Sequence, residues 1–186
     1  MAFVVIYDAN VLYGNTVRDI MIRVARAGFV QARWRHRILD ETLGNLHAKR
    51  PDIPVEKLET LRSRIIHAVP DCIIEGYEPL IEGLKLPDPD DRHILAAAIK
   101  SRAQVIATSN LRDFPTESLA PWHIEARSPD DFLLDQIELD GRVVWACVQQ
   151  IADARNNPPE TVADILEALE RAGLVESAAA LRDGRI

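Results

Sequence analysis

A chain of 186 residues with 47% hydrophobic and 27% charged residues holds enough apolar material for one domain with an appendage. No apolar run approaches the ~20 residues of a membrane-spanning helix, and Asp8 interrupts an opening stretch that also lacks the basic flank of a signal peptide, so a cytoplasmic protein without membrane association is expected. The formal charge of −7 argues against nucleic acid only until it is located: residues 128–186 hold five arginines, no lysine and twelve acids, which leaves the first 127 residues neutral overall.

In chain order, Phe3 to Ile6 form a β-branched apolar run that predicts a strand buried on both faces and stopping at Asp8. "VRDIMIRVARAG" has Val17, Ile20, Met21, Val24 and Ala27 at helical spacing, with Gly28 as a stop. The stretch from Ile20 to Leu39 carries Arg23, Arg26, Arg33, Arg35 and Arg37 and no acid, which suits either a solvated helix face or a phosphate-binding patch. Trp34, set between two of these arginines, is open to base stacking or to a core role. "RHRILDETLGNLHAKR" and "PVEKLETLRSRIIHAV" predict two further helices, ended by Pro51 and by Pro70. "DCIIEGY" predicts a short strand, "DPDDRHILAAAIKSRA" a helix announced by aspartates and proline, and "QVIATSN" another buried strand. Strands alternating with helices predict an α/β fold with a mainly parallel sheet over residues 1–127. From residue 128 the texture changes. "DFLLDQIEL", "VVWACVQQIADA", "PPETVADILEALERAG" and "VESAAALRD" all read as helices, one starting at Pro158 and Pro159 and ending at Gly173, and together predict a helical extension over 128–186. Cys72 and Cys147 lack metal spacing and read as buried thiols.

Sites in open parallel sheets form at the carboxyl ends of strands. Asp8 is at one such end, with Asn10 two residues on, and "VIATSNLRDF" brings Thr108, Ser109, Asn110 and Asp113 to another. Asp88, Asp90 and Asp91 open a helix that should start at the same edge, and they exceed what a single cap needs. Glu41 lies three residues from Ile38, beside the buried stripe of its helix, whereas Asp40 is turned further toward solvent. Carboxylates gathered from four segments repel one another unless some protonate or a cation joins them. Oxygen donors of this kind select Mg²⁺ or Mn²⁺, and the five histidines show no zinc spacing.

The pieces "VIYDANVL", "ILDETL", "DPDDRHILAAAI" and "VIATSNLRDFP", in this order, resemble the PIN-domain ribonucleases, especially the VapC-like toxins of bacterial toxin–antitoxin modules. The resemblance implies a three-layer α/β/α sandwich around a short parallel sheet, Mg²⁺- or Mn²⁺-dependent cleavage of RNA, and neutralisation by a bound antitoxin. Its acids fall on Asp8, Glu41, Asp91 (Asp90 being the neighbouring alternative) and Asp113, as metal ligands and catalytic groups. Asn10, Thr108 and Asn110 fall on supporting polar positions, and Arg33, Arg35 and Arg37 are candidates for holding the RNA backbone. A homodimer formed through apolar helix faces is a further expectation.

Two other readings compete. Haloacid-dehalogenase-type phosphatases also place an aspartate after the first strand, but Asn10 stands where their second aspartate acts as general acid. A non-catalytic scaffold of the same fold would be expected to have lost some of the four acids, and all four are present. The acidic tail suits either a basic partner segment or ordinary solvated helix faces.

Overall fold

The structure is a computed structural model, and it describes residues 3–69 and 71–184. Its elements run β1 (Phe3–Tyr7), α1 (Ala9–Tyr13), α2 (Asn15–Arg26), β2 (Val30–Arg33), α3 (His36–Lys49), α4 (Val55–Ala68), α5 (Arg92–Ser101), β3 (Val105–Ala107), α6 (Thr116–Leu119), β4 (Glu125–Arg127), α7 (Pro129–Ala154), α8 (Val162–Arg171) and α9 (Val175–Arg182). The four strands make one sheet in the order β2-β1-β3-β4, with every pair parallel. Val5 opposes Ala32 on one side and Val105 on the other, so β1 is central and buried, as its β-branched run requires.

Side chains alternate across β1 and divide the core in two. Val5 and Tyr7 join the larger cluster, which contains Ile20, Met21 and Val24 of α2 together with Phe132, Val148, Ile165 and Leu181 from the last three helices. Ile6 joins the smaller cluster on the other face, with Ile94, Leu95 and Ala98 of α5 and with Phe114 and Leu119. The result is a helix–sheet–helix sandwich. Tyr7 stacks on Trp34 at 6.1 Å and meets Phe132 edge-on at 5.8 Å. Trp34 is therefore a core residue, fully buried, and does not stack on a base. Full burial of side chains this large contributes about 1.5–3 kcal/mol each. The C-terminal helices share a core with the sheet, because Phe132, Leu133 and Ile137 at the start of α7 fill space beside Tyr7 and α2.

Several elements depart from the sequence expectation. "DCIIEGY" is not a strand: Ile73 makes a single parallel bridge to Trp34. β2 and β4 were not expected. β2 is the alternating "VQAR", in which only Val30 and Ala32 are buried, and β4 is a three-residue edge strand. Pro158 and Pro159 do not start α8. They lie in a turn bridged between Asn156 and Pro159, and the helix begins after Thr161, whose hydroxyl and Asp164 form a reciprocal capping box. The two predicted helices "DFLLDQIEL" and "VVWACVQQIADA" are halves of α7. At Asp140 the backbone is extended (φ −159°, ψ 87°), and its carboxylate accepts hydrogen bonds from the N–H groups of Arg142 (3.2 Å) and Val143 (3.4 Å), which recaps the second half. Among the described residues no helix is long and apolar enough to cross a membrane.

Candidate active site

β1 and β3 are neighbours, so their carboxyl ends bring Asp8 and Thr108 side by side. The Asp8 backbone is extended, and its side chain caps the short helix α1 by accepting from the Ala9 N–H at 2.6 Å. The other Asp8 oxygen accepts from the Asn10 amide at 2.5 Å and from the Thr108 hydroxyl at 2.8 Å. Asn10 in turn accepts from the Ser109 N–H at 2.9 Å, and the Thr108 hydroxyl accepts from the Asn110 N–H at 3.0 Å. These bonds tie two strand ends into a rigid polar knot. Burial raises the pKa of Asp8, the bonds from Thr108 and Ala9 pull it back, and the charge of Glu41 raises it further.

A cleft of about 490 Å³ opens beside this knot, lined by Asp8, Asn10, Glu41, Asp91 and Asn110 together with Tyr13, Asn45 and Lys49. α3 supplies Glu41 because Thr42, next to it, is fully buried and donates to the carbonyls of Ile38 (2.7 Å) and Ala9 (3.4 Å), which docks α3 on α1. Arg37 donates to Glu41 at 2.8 Å. Asp91 enters from the start of α5. Its pKa rises to about 6, first through burial and then through the charges of Asp8, Asp88, Asp113 and Glu41.

Of the expected acids, Asp8, Glu41 and Asp91 thus share one cleft. Asp113 does not line it, yet its charge reaches Asp91. Asp90 is exposed, and its carbonyl accepts from His93 Nδ1. Sequence reasoning missed Tyr13, Asn45 and Lys49. Glu41, Asn45 and Lys49 recur every four residues, a helical stripe that points them to one side, and the Lys49 ammonium sits 4.5 Å over the Tyr13 ring.

The three arginines expected to hold RNA fare differently. Arg35 is only 1% exposed, donates to the Tyr77 hydroxyl at 3.0 Å and stacks on that ring, so it is withdrawn from any surface phosphate. Arg33 donates to the Asp71 carbonyl. Arg37 alone is exposed, and it is paired with Glu41. Position in a basic run did not reveal burial, because Arg35 follows directly on the buried Trp34 and precedes the first turn of α3.

Among the described residues, no three carboxylate, imidazole or thiolate groups stand close enough together to grip one cation as placed. The chemistry of the donor set nonetheless fits a hard divalent ion. The cleft offers three carboxylates and three amide side chains, and Asp91 lacks an ion-pair partner among the described residues while burial and four neighbouring acids raise its pKa.

Residues 4–112 match the family model described as PIN domain, and residues 129–183 match the one described as VapC50 C-terminal domain. A protein of Mycobacterium tuberculosis (strain ATCC 25618 / H37Rv) named "Putative ribonuclease VapC50" is 45% identical over 94 residues, which cover 50% of this chain and 55% of that protein. The chain thus spans about half the length of this curated relative. No solved structure matches the chain.

Proposed function

Since the chain belongs to the PIN-domain family, we propose that it is a Mg²⁺- or Mn²⁺-dependent endoribonuclease acting in the cytoplasm, the toxin of a toxin–antitoxin pair. The observation that carries this reading is the meeting of Asp8, Glu41 and Asp91 in one cleft at the carboxyl edge of a parallel sheet, with the pKa of Asp91 pushed up to about 6 by burial and then by its acidic neighbours. The name of the mycobacterial relative, a ribonuclease, supports the substrate class.

In this reading Asp8, Glu41 and Asp91 would hold the ion, with Asp113 assisting from outside the lining, where Asp90 also lies. A divalent cation in such a site neutralises the scissile phosphate, lowers the pKa of water and stabilises the departing oxygen. The chain's own groups prepare that event. Asn10 and Thr108 fix the Asp8 carboxylate, so it loses little freedom when it binds. Asp91 carries a proton over part of its population near pH 6 and must release it before it can act as a ligand. Asn110 and Lys49 line the cleft as donors for the phosphate oxygens. The products are a 3′-hydroxyl and a 5′-phosphate. An antitoxin protein and a second copy of the chain are the partners this reading includes.

Purified protein incubated with single-stranded RNA is expected to cut it in Mn²⁺ or Mg²⁺ and to stop in EDTA, with end mapping returning 5′-phosphates. RNA left intact with both metals, or cut equally well in EDTA, contradicts the proposal.

A further inference from the structure

The arginines of α2 and α4 differ in how they are neutralised. Arg18 donates to the Leu12 carbonyl at 3.0 Å and to Asn15 at 2.9 Å. Arg23 is bonded to Asp19 at 2.9 Å and to Gln150 at 3.1 Å. Arg62 is paired with Asp40. Arg26 and Arg64 are exposed, and among the described residues neither side chain has a carboxylate partner or a hydrogen-bond acceptor. Both line the same two adjoining depressions between the helices. One, of about 640 Å³, is walled by Thr60, Ser63 and His67 beside them, with Ala68 as its sole aliphatic. The other, of about 440 Å³, continues past Arg23 and Arg18 to Asn15. Its only acid is Asp19, which is already bound to Arg23.

Two guanidiniums brought to one groove without an internal counter-charge repel each other, and an external anion relieves that repulsion. The Ser63 hydroxyl and the His67 imidazole beside them are donors that phosphate oxygens take, whereas the Thr60 hydroxyl donates to the Glu56 carbonyl at 2.8 Å. No phenylalanine, tyrosine or tryptophan lines either depression, and the one ring there is the His67 imidazole, so the lining suits a backbone more than a row of stacked bases. Asn15 lies two residues beyond Tyr13, which lines the carboxylate cleft. From Asn15 to Arg26 the helix runs about 16 Å, long enough for more than one phosphate.

We propose that the groove between α2 and α4 binds the phosphodiester backbone of a single-stranded nucleic acid and leads it toward the carboxylate cleft, with Arg26 and Arg64 as its principal contacts. The inference rests on the nuclease reading for its substrate class. It assigns the phosphate contacts to residues other than the buried Arg35 and the engaged Arg33.

The test measures binding, not cleavage. Full-length protein in EDTA is titrated with a fluorescent single-stranded RNA 20-mer, and with the DNA of the same sequence, over a range of salt. The Arg26→Ala/Arg64→Ala protein is expected to bind at least tenfold more weakly and to show a log–log salt slope shallower by about 1.4, at ~0.7 per lost contact on a single strand. The Arg26→Lys/Arg64→Lys protein should keep the slope, and Arg171→Ala, at an exposed position outside the lining of either depression, should change nothing. Neither alanine removes a folded-state bond, so an unchanged melting temperature is expected to accompany the loss. Equal effects on RNA and DNA support a backbone track, and a loss confined to RNA supports one that also reads the 2′-hydroxyl. An unchanged slope in the double alanine variant overturns the proposal while leaving the nuclease reading intact. Loss of binding to poly-glutamate with no change for RNA overturns it in favour of an acidic protein segment. Cleavage of RNA by the parent protein with no measurable binding in EDTA also overturns it, whereas failure of the parent to cut RNA in Mn²⁺ counts against the nuclease reading itself.

Discussion

The C-terminal helices and the carboxylate cleft are both rich in acid, and they treat it in opposite ways. Residues 128–186 carry twelve acids against five arginines, and several of these carboxylates bond the local backbone or an arginine, although burial raises the pKa of Asp135, with neighbouring acids adding to it. Asp130 accepts from the N–H groups of Glu176 and Ser177, both at 2.9 Å, and so joins the start of α7 to the start of α9. Asp164 completes the capping box with Thr161, and that bond holds its pKa below the usual carboxylate range. Glu160 and Glu170 are bound to Arg155 and Arg182 at 2.6 and 2.7 Å. In the cleft the direction is reversed. Burial and like charges raise Asp91 to about 6 and lift Asp8 as well. Net charge would have directed attention to the tail. The environment of each carboxylate directs it to the cleft, where Glu41 has Arg37 and Asp8 has its hydrogen-bond donors but Asp91 has no ion-pair partner among the described residues.

The contrast can be strained from either side. The largest effect is expected from Asp8→Asn, which is nearly isosteric but removes a charge and replaces one of the two accepting oxygens of the knot by an NH2 donor. Metal-dependent RNA cleavage should fall at least about a hundredfold, since even partners one step removed from a metal commonly cost 10–100-fold. A cleavage rate equal to the parent's would show that the cleft is not the site. Asp91→Asn is next. A carboxyl whose pKa is higher folded than unfolded binds more protons in the native state, so its charged form costs stability above the folded value and the cost fades as pH falls below the unfolded one. Metal-free Asp91→Asn should therefore melt a few degrees above the parent at pH 7.5, for about 1–2 kcal/mol after allowance for partial exposure. The gain should shrink between pH 6 and pH 4 and be absent at pH 3.5. A gain independent of pH would mean that repulsion is not its cause. The smallest effect belongs to the tail. Thr161→Ala removes one half of the capping box, and thermal melts should report a loss of about 1 kcal/mol with cleavage per folded molecule unaltered. A stabilising Thr161→Ala would place the tail's acids in the same class as the cleft's.

Much of this arrangement was legible from the residues. Phe3 to Ile6 announce a central strand because β-branched side chains without alternation suit burial on both faces, and Asp8 marks where it ends. Asn10 and Thr108 were legible as polar residues after predicted strands, but not their shared hydrogen bonds to Asp8. What escaped were features set by tertiary packing. β4 is short and polar, and it is a strand only because β3 lies beside it. Arg35 sits in a run of exposed-looking cations, yet Tyr77, forty-two positions away, receives it in the core. The prolines at 158 and 159 suggested a helix start, but the cap of Thr161 and Asp164 fixes that start at Val162, three residues beyond Pro159. Separation between carboxylates across the cleft is likewise a property of packed helices, and no spacing along the chain encodes it.

Asp8, Glu41 and Asp91 meet in one cleft, with Asp91 unpaired among the described residues, and their proposed role is to receive a cation. Isothermal calorimetry of Mn²⁺ binding at pH 6, repeated in buffers of different ionisation enthalpy, tests it directly. The account predicts saturable binding by the parent with net proton release, because Asp91 is partly protonated at that pH, and loss of both signals in Asp8→Asn and Asp91→Asn. No binding by the parent, or undiminished binding by the two variants, would contradict it.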